Sequence, residues 1–207
     1  MTAPLIVAIT GATGVVYGVE LLRVLKDLGQ ETHLILSEAG GMNLAIETDT
    51  SIDEVRSLAT VVYNNKDVGA AVASGSFRTR GMIIAPCTIK TLSAIANSFT
   101  YNLVVRAADV QLKEGRKLVL MVRETPLHKG HLELMARACN PNANLPAVWL
   151  RHTQLRSLYR QGLLAEWQRG TALEDAVFHL AATMPMTGVS LDQEAFLRDL
   201  RAGSAVK

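Results

Sequence analysis

A cation and a carboxylate, Arg123 and Glu124, come directly after the apolar run KLVLMV at 117–122. Burying either charge is costly unless the group has a partner or a chemical role. A carboxylate at such a position can move a proton, and cations can hold developing negative charge. A salt-bridged pair at the edge of a sheet explains these residues equally well, so both interpretations stay open.

A glycine-rich turn, GATGVVYG at 11–18, follows the apolar run Leu5–Thr10. Its spacing is not G-x-G-x-x-G, and Ser37 stands where dinucleotide-binding proteins carry an acidic ribose ligand. Backbone amides at a helix N-terminus, with a hydroxyl nearby, suit one phosphate rather than a pyrophosphate. FMN therefore fits this turn better than NAD. A tight turn without a ligand is the alternative.

The segment PCTIKT at 86–91 follows another apolar run, GMIIA at 81–85. Thr88 and Thr91 can both direct hydroxyls towards an anion, and ordinary N-capping by Thr88 is the competing explanation. Cys87 is expected to be an inert buried thiol, since no neighbour in sequence would lower its pKa.

Two further groups are ambiguous. Arg106, Asp109 and Lys113 share one face at helical spacing, where Arg106 and Asp109 can simply pair with each other. Ser74 and Ser76 are either part of a flexible loop or a hydroxyl pair that closes over a ligand.

The elements that must position these groups alternate between strand and helix. Continuous apolarity over four to six residues predicts strands that are covered on both faces. The pattern predicts a doubly wound parallel α/β sheet, with ligands beyond the carboxyl ends of its strands. The predicted strands are 5–10, 32–36, 81–85 and 117–122, and the predicted helices between them are 17–28, 91–96, 106–114 and 131–138.

Composition limits the class of protein. With 49% apolar residues, 19% charged residues and a formal net charge of +2, the 207-residue chain is expected to form a folded core. No nucleic-acid or membrane partner is expected. Two cysteines, no expected signal peptide and no metal-ligand spacing among the five histidines indicate a soluble, cytoplasmic protein without a metal.

The composition changes after Cys139. Residues 140–170 are interpreted as an atypical insertion within a single domain spanning 1–207, with a helical segment at 151–169. Helices are also predicted at 172–183 and near 191–200.

Taken together, these motifs resemble the flavin prenyltransferase family (UbiX-type proteins), especially the B subunits of phenolic and hydroxyarylic acid decarboxylases. The resemblance covers residues 1–138 nearly without gaps. Several motifs in the same order are more specific than any one of them. The matching stretches are TGATG at 10–14, Ser37, Glu47-Thr48, SGSF at 74–77, PCTIKTLS at 86–93, VVRAADVQLKEGRKLVL at 104–120, RETP at 123–126 and HLELM at 131–135.

The resemblance implies a Rossmann-like (flavodoxin-like) flavoprotein. Such enzymes join the dimethylallyl group of dimethylallyl phosphate to reduced FMN, at N5 and then C6, and so add a fourth ring. The prenylated flavin then serves a UbiD-type decarboxylase. The family's site lies between subunits of a homo-oligomer, typically a dodecamer.

The resemblance also implies roles for individual residues. Glu124 corresponds to the proton-transfer residue, and Ser74 and Lys113 join it as catalytic residues. Arg106, Lys113 and Arg123 correspond to the cations that hold the allylic phosphate. The implied FMN contacts are Gly11, Ala12, Thr13, Ser37, Thr88, Ile89, Lys90, Thr91 and Arg123.

The sequence departs from the family pattern in places. Family members commonly carry an aromatic residue before the SGS loop, whereas the comparable position of this chain is near Val68. Family members also have a tyrosine that holds the prenyl phosphate, and the corresponding segment 140–170 does not match that part of the pattern. In a later helix, family members have an Arg or Lys that binds phosphate, and this chain has Thr183 at that position. A second hypothesis is therefore an FMN-binding accessory or chaperone subunit without prenyl transfer. A third is a flavin-dependent cysteine decarboxylase, disfavoured because PCTIKT stands in place of P-x-S-A-N-T.

Overall fold

The computed structural model describes residues 3–138 and the strand residues 148–149. Strands and helices alternate along this part of the chain. The strands are β1 (Leu5–Ile9), β2 (Thr32–Leu36), β3 (Val61–Asn64), β4 (Gly81–Cys87), β5 (Lys117–Val122) and β6 (Val148–Trp149). The helices are α1 (Val15–Asp27), α2 (Glu38–Glu47), α3 (Ile52–Ser57), α4 (Ile89–Ala96), α5 (Leu103–Lys113) and α6 (Lys129–Ala138), with a 3₁₀ turn at Ala71–Ala73.

The strands form one parallel sheet in the order β3-β2-β1-β4-β5-β6. The chain winds outwards from β1 to β3, returns to the other side of β1 and continues outwards to β6. The strand order therefore reverses between β1 and β4. In open sheets of this kind, the crevice beyond the carboxyl ends at the reversal is where ligands bind.

Strand burial explains why these segments form the centre of the sheet. All five residues of β1 and all seven of β4 are buried. Alternate side chains point to opposite faces: Ile6 and Ala8 belong to the cluster that includes Leu92 of α4 and Leu103 of α5. On the other face, Gly18 of α1 lies so close to the sheet that a Cβ there would come within 2.7 Å of Ile9.

The predicted doubly wound parallel sheet is confirmed, and the observed strand order is the Rossmann order. Sequence analysis missed α2, α3, β3 and β6. In α2, two adjacent glycines, Gly40 and Gly41, oppose a helical interpretation because glycine is a poor helix former. They are nevertheless buried: a Cβ at Gly40 would lie 2.7 Å from the carbonyl oxygen of Ile9.

The predicted helices at 151–169, 172–183 and 191–200 lie outside the described residues, as does most of the 140–170 segment. The strand at 148–149 falls within that segment and pairs in parallel with β5. Within the described residues, no helix combines the length and the apolar character that crossing a bilayer requires.

Candidate functional site

Three helices begin side by side at the carboxyl edge of the sheet. Helix α1 follows β1, α2 follows β2 and α4 follows β4, and these three strands are neighbours in the order β2-β1-β4. Helix N-termini present free amide N–H groups and the positive end of the helix dipole. Three of them together create an edge that favours an anionic group.

The turn between β1 and α1 already holds an oxyanion. Gly14 adopts a left-handed conformation, with φ at 98°, and its amide donates to Oε2 of Glu47 at 2.7 Å. The amide of Val15 donates to the same oxygen at 3.1 Å. A carboxylate from the end of α2 therefore occupies the first turn of α1, which shows that these amides coordinate an anionic oxygen.

Sequence analysis assigned no role to Glu47, although it lies within one of the matching stretches. Its side chain connects the end of α2 to the start of α1, because it binds amides that precede it by 33 and 32 residues in sequence. The sequence signal was its place in the matching Glu47-Thr48 stretch, which belongs to a helix that sequence analysis did not recognise.

A buried threonine ties the ends of β1 and β4 together. The Thr10 hydroxyl donates to the carbonyl oxygen of Pro86 at 2.7 Å and accepts from the amide of Thr88 at 3.0 Å. One side chain thus fixes the start of the 88–91 segment against the glycine turn.

The hydroxyls of Ser37 and Thr88 act as N-caps. Ser37 accepts from the amide of Gly40 at 3.0 Å, and Thr88 accepts from the amide of Thr91 at 3.1 Å. The Thr88 hydroxyl also donates to the Thr91 hydroxyl at 2.9 Å. The capping role considered for Thr88 is confirmed, and its place at a helix N-terminus leaves it at the same edge as the glycine turn.

Arg123 and Glu124 lie next to this row of helix N-termini. The amide of Arg123 donates to the carbonyl oxygen of Cys87 at 3.1 Å, which fixes the end of β5 to the end of β4. Glu124 is half-buried, and its Oε1 accepts from the amide of Thr125 at 3.1 Å.

The Tyr17 ring covers Gly14, where a Cβ would come within 2.8 Å of the ring. Burial raises the pKa of the Tyr17 hydroxyl, and the positive charge of Arg123 partly offsets that rise. Arg123 is therefore close enough to Tyr17 to act on its hydroxyl electrostatically.

Cys87 takes no part in this chemistry. Its side chain is fully buried, and burial raises the pKa of its thiol well above the ordinary value. The expected burial of this thiol is confirmed, and its raised pKa disfavours the thiolate that nucleophilic cysteines need.

Two of the residues implied as catalytic lie at the opposite edge of the sheet. Ser74, whose hydroxyl is 2.8 Å from that of Ser76, precedes β4, and Lys113 ends α5 just before β5. Arg116 fixes the loop by donating to the carbonyl oxygens of Gly75 and Phe77 at 2.6 and 2.8 Å. Strand β4 separates this group from Thr88 by roughly 20 Å, at ~3.3 Å per residue.

Arg106 and Lys113 each have an acidic neighbour. Arg106 forms a partly buried ion pair with Asp109 at 3.2 Å, so the alternative of mutual pairing is confirmed. Lys113 pairs with Glu114 at 3.3 Å.

Lys90 lies 5.0 Å above the ring of Tyr101, a cation–π distance. This contact holds its ammonium group near the start of α4. The part of the chain that the structure describes contains no group of three or more possible metal-ligating side chains.

Comparisons with known proteins show the family to which this chain belongs. The Flavoprotein family model matches residues 2–142. A flavin prenyltransferase UbiX from Thauera aromatica is 52% identical over 163 residues, which cover 77% of this chain and 84% of that protein.

Two solved structures are similar throughout most of their length. The crystal structure of AnUbiX (PadA1) in complex with FMN and dimethylallyl pyrophosphate has a TM-score of 0.70 and 38% identity, with 88% of this chain and 89% of that chain covered. A dodecameric FMN-dependent UbiX-like decarboxylase from Escherichia coli O157:H7 has a TM-score of 0.70 and 39% identity, with 86% and 91% covered.

Proposed function

Because this chain belongs to the flavin prenyltransferase family, we propose that it joins the dimethylallyl group of dimethylallyl phosphate to reduced FMN. The observation that carries this proposal is the row of three helix N-termini beside Arg123 and Glu124. That row suits a phosphate group, and the two side chains add a cation and a proton acceptor.

FMN fits the carboxyl edge. The amides of the α1 first turn already bind a carboxylate oxygen, and Gly11 lies so close to Ala39 of α2 that any side chain at position 11 would clash with that helix. When bound, reduced FMN supplies the ring atoms that accept the dimethylallyl group. We assign its binding to Gly11, Ala12, Thr13, Ser37, Thr88, Ile89, Lys90, Thr91 and Arg123.

Cations drive the departure of the phosphate. An allylic carbon–oxygen bond breaks more easily when positive groups hold the negative charge that develops on the leaving oxygen. We assign this role to Arg106, Lys113 and Arg123. For Arg106 it requires that the guanidinium keep donors free beyond its single 3.2 Å bond to Asp109, which a group with five N–H donors can do.

A carboxylate removes the proton that ring closure releases. Glu124 is half-buried and follows Arg123 directly, so it combines access to the site with a neighbouring positive charge. Glu47 places a second carboxylate at the α1 turn. We assign proton transfer to Glu124. We propose that Glu47 orders the glycine turn and competes with other anions for the amides of the α1 first turn.

The catalytic site is completed by a second copy of the chain. Ser74 and Lys113 lie at the amino edge of the sheet, roughly 20 Å from the carboxyl-edge residues of the same copy. A neighbouring copy can present its own Ser74 and Lys113 to the FMN edge of the first. The dodecameric state of the Escherichia coli relative supports this arrangement.

The product is a modified flavin that this chain makes for another enzyme. We propose that a UbiD-type decarboxylase accepts this product. The cytoplasmic location of both proteins stays a prediction from the sequence. An accessory subunit that binds FMN without prenyl transfer is the alternative outcome of the test.

Two substitutions separate cofactor binding from chemistry. Glu124→Gln is expected to keep FMN affinity within about threefold while slowing prenyl transfer by ~10²–10⁴-fold, since it removes a proton acceptor. Arg123→Ala is expected to weaken FMN binding as well, by roughly 1.5–3 kcal/mol for a lost charge-assisted bond. Glu133→Gln, the same change at an exposed glutamate of α6, is the matched control.

Flavin fluorescence titration gives the FMN affinity, and absorbance of the flavin product gives the rate. Equal rates for Glu124→Gln and Glu133→Gln would contradict the assignment of Glu124. FMN binding by the wild type without any product would favour the accessory subunit.

A further inference from the structure

Helix α5 ends in a motif that fixes the backbone of Arg116. The amide of Gly115 donates to the carbonyl oxygen of Leu112 at 3.1 Å, and the amide of Arg116 donates to that of Gln111 at 2.7 Å. Gly115 has a φ of 64°, in the left-handed region that glycine adopts readily. These are the two hydrogen bonds of a Schellman motif, so the base of the Arg116 side chain is held at the end of α5.

From this position the Arg116 guanidinium reaches the loop at 74–77. Its Nη1 donates to the carbonyl oxygen of Phe77 at 2.8 Å, and its Nη2 donates to that of Gly75 at 2.6 Å. The planar fork of an arginine can hold two such oxygens at once, whereas a lysine ammonium is a single point charge. The contact therefore depends on the shape of the guanidinium as well as on its charge.

The same loop lies against the last turn of α5. A Cβ at Gly75 would overlap the carboxylate of Glu114 and would lie 3.3 Å from Nζ of Lys113. The Glu114 carboxylate in turn pairs with that ammonium group at 3.3 Å. The absence of a side chain at Gly75 thus lets the loop that carries Ser74 approach Lys113 closely.

The residues that follow this loop are held by contacts that do not involve Arg116. The Phe77 ring packs against the buried ring of His33, with 5.3 Å between the ring centroids. The Thr79 hydroxyl donates to Oε1 of Gln111, which is completely buried in α5, at 2.7 Å. Loss of the Arg116 side chain is therefore expected to loosen residues 74–77 while the fold remains.

We propose that Arg116 is a positioning residue, which fixes Ser74 relative to Lys113 by clamping the 74–77 loop to the end of α5. Both of the loop groups that Arg116 binds are backbone carbonyl oxygens, so it acts on the reaction through the loop. Misplacement of a reacting group by about 1 Å can slow a reaction by on the order of a hundredfold. The effect on rate rests on the proposed function, but the effect on the loop does not.

The first pair of variants removes the fork. Arg116→Ala removes both hydrogen bonds, and Arg116→Lys keeps the charge without the planar geometry. The same two changes at Arg56 are the matched controls. Arg56 is an exposed arginine of α3 that pairs with Asp53 at 3.2 Å, so its substitution changes the same charge without touching the loop.

A second variant disturbs the contact from the side of the loop. In Gly75→Ala the new Cβ would displace the Glu114 carboxylate from its place beside Lys113. Gly69→Ala is its control, because a Cβ there would meet only Asp67 Oδ1, at 3.5 Å. This variant keeps the proposal testable if Arg116→Ala does not fold.

Backbone hydrogen exchange, read by mass spectrometry on peptides that span 74–79, measures the loop directly. Arg116→Ala is expected to exchange at least about tenfold faster there, since two hydrogen bonds that hold the segment are lost. Arg116→Lys should show a smaller increase, and the Arg56 variants should exchange like the wild type.

Prenyl transfer kinetics measure the consequence for the reaction. Arg116→Ala is expected to lower kcat by about tenfold to a hundredfold, and Arg116→Lys should recover only part of that loss. Gly75→Ala should lower kcat more than Gly69→Ala does. FMN affinity should stay within about threefold of the wild type, because the carboxyl edge lies roughly 20 Å away. A residue that served stability alone would leave kcat unchanged in the folded, FMN-bound chain.

Several results would overturn the proposal. Loop exchange in Arg116→Ala that matches the wild type would exclude the clamp, and faster exchange with an unchanged kcat would exclude the positioning role. Arg116→Lys as active as the wild type would exclude the need for the guanidinium fork. Circular dichroism confirms that each variant is folded. If the wild type itself forms no prenylated flavin, the proposed function fails, and loop exchange decides by itself whether the clamp exists.

Discussion

The contact between Gly11 and α2 gives a prediction whose size follows from distances. In Gly11→Ala the new Cβ would lie 2.3 Å from the Cβ of Ala39, and 3.1 and 3.2 Å from its carbonyl carbon and Cα. Carbon atoms in contact are normally ~3.5–4.0 Å apart. Because the obstructing atoms belong to α2 itself rather than to a flexible side chain, the helix must move by roughly 1–1.5 Å.

Such overpacking typically costs about 1–3 kcal/mol in the free energy of unfolding. The FMN affinity is expected to fall by about tenfold or more, because Ser37 and Glu47 move with α2. Urea unfolding and flavin fluorescence titration measure the two effects. Gly69→Ala is the control, since its Cβ would meet only Asp67 Oδ1, at 3.5 Å.

A compensating substitution tests the cause. Ala39→Gly removes the 2.3 Å contact but leaves the two contacts beyond 3 Å, so it should rescue Gly11→Ala in part. Its own cost of roughly 0.5–1 kcal/mol is subtracted through a double-mutant cycle. Strictly additive effects, or a Gly11→Ala variant as stable as Gly69→Ala, would refute the reasoning.

Three further outcomes are expected. Thr10→Val should lower the free energy of unfolding in urea by about 1–3 kcal/mol, since it leaves the amide of Thr88 without its partner and removes one of the two donors to the carbonyl oxygen of Pro86; a variant as stable as the wild type would contradict this. Because burial raises its pKa, the Cys87 thiol should resist iodoacetamide at pH 8 in the folded chain and react once urea unfolds it, with labelling read at Cys87 separately from Cys139 by peptide mass spectrometry; rapid labelling of Cys87 in the folded chain would be inconsistent with its burial. Glu47→Gln should lower stability by about 0.3–1 kcal/mol, through loss of a negative charge at the α1 N-terminus, and high salt should reduce the difference; a difference that salt leaves unchanged would mean that another interaction is responsible.

The sequence predicted the carboxyl-edge group well because local rules govern it. Thr88, Arg123 and Glu124 each follow a continuous apolar strand, and the parallel topology brings such positions to one edge. The same rule would have placed Ser74 and Lys113 at the opposite edge, away from Glu124, because both precede a strand. The resemblance grouped them with Glu124, and only the fold shows that one copy does not bring them together.

Helix α2 was missed for a different physical reason. Adjacent glycines lower helix propensity, but the close approach to the carbonyl oxygen of Ile9 requires Gly40. Tertiary packing thus overrides the local preference. The contact of Glu47 with the glycine turn depends on that packing, so no short motif could have revealed it.

The central claim is tested most directly by the mass of the flavin after one reaction. The purified chain is incubated anaerobically with reduced FMN and dimethylallyl phosphate, the protein is removed, and the flavin is analysed by mass spectrometry. We predict a flavin heavier than FMN of the same oxidation state by one C5H8 unit, with inorganic phosphate released in equal amount, and neither product from a parallel incubation without the chain. FMN recovered at its original mass, from a chain that demonstrably binds it, would contradict the account.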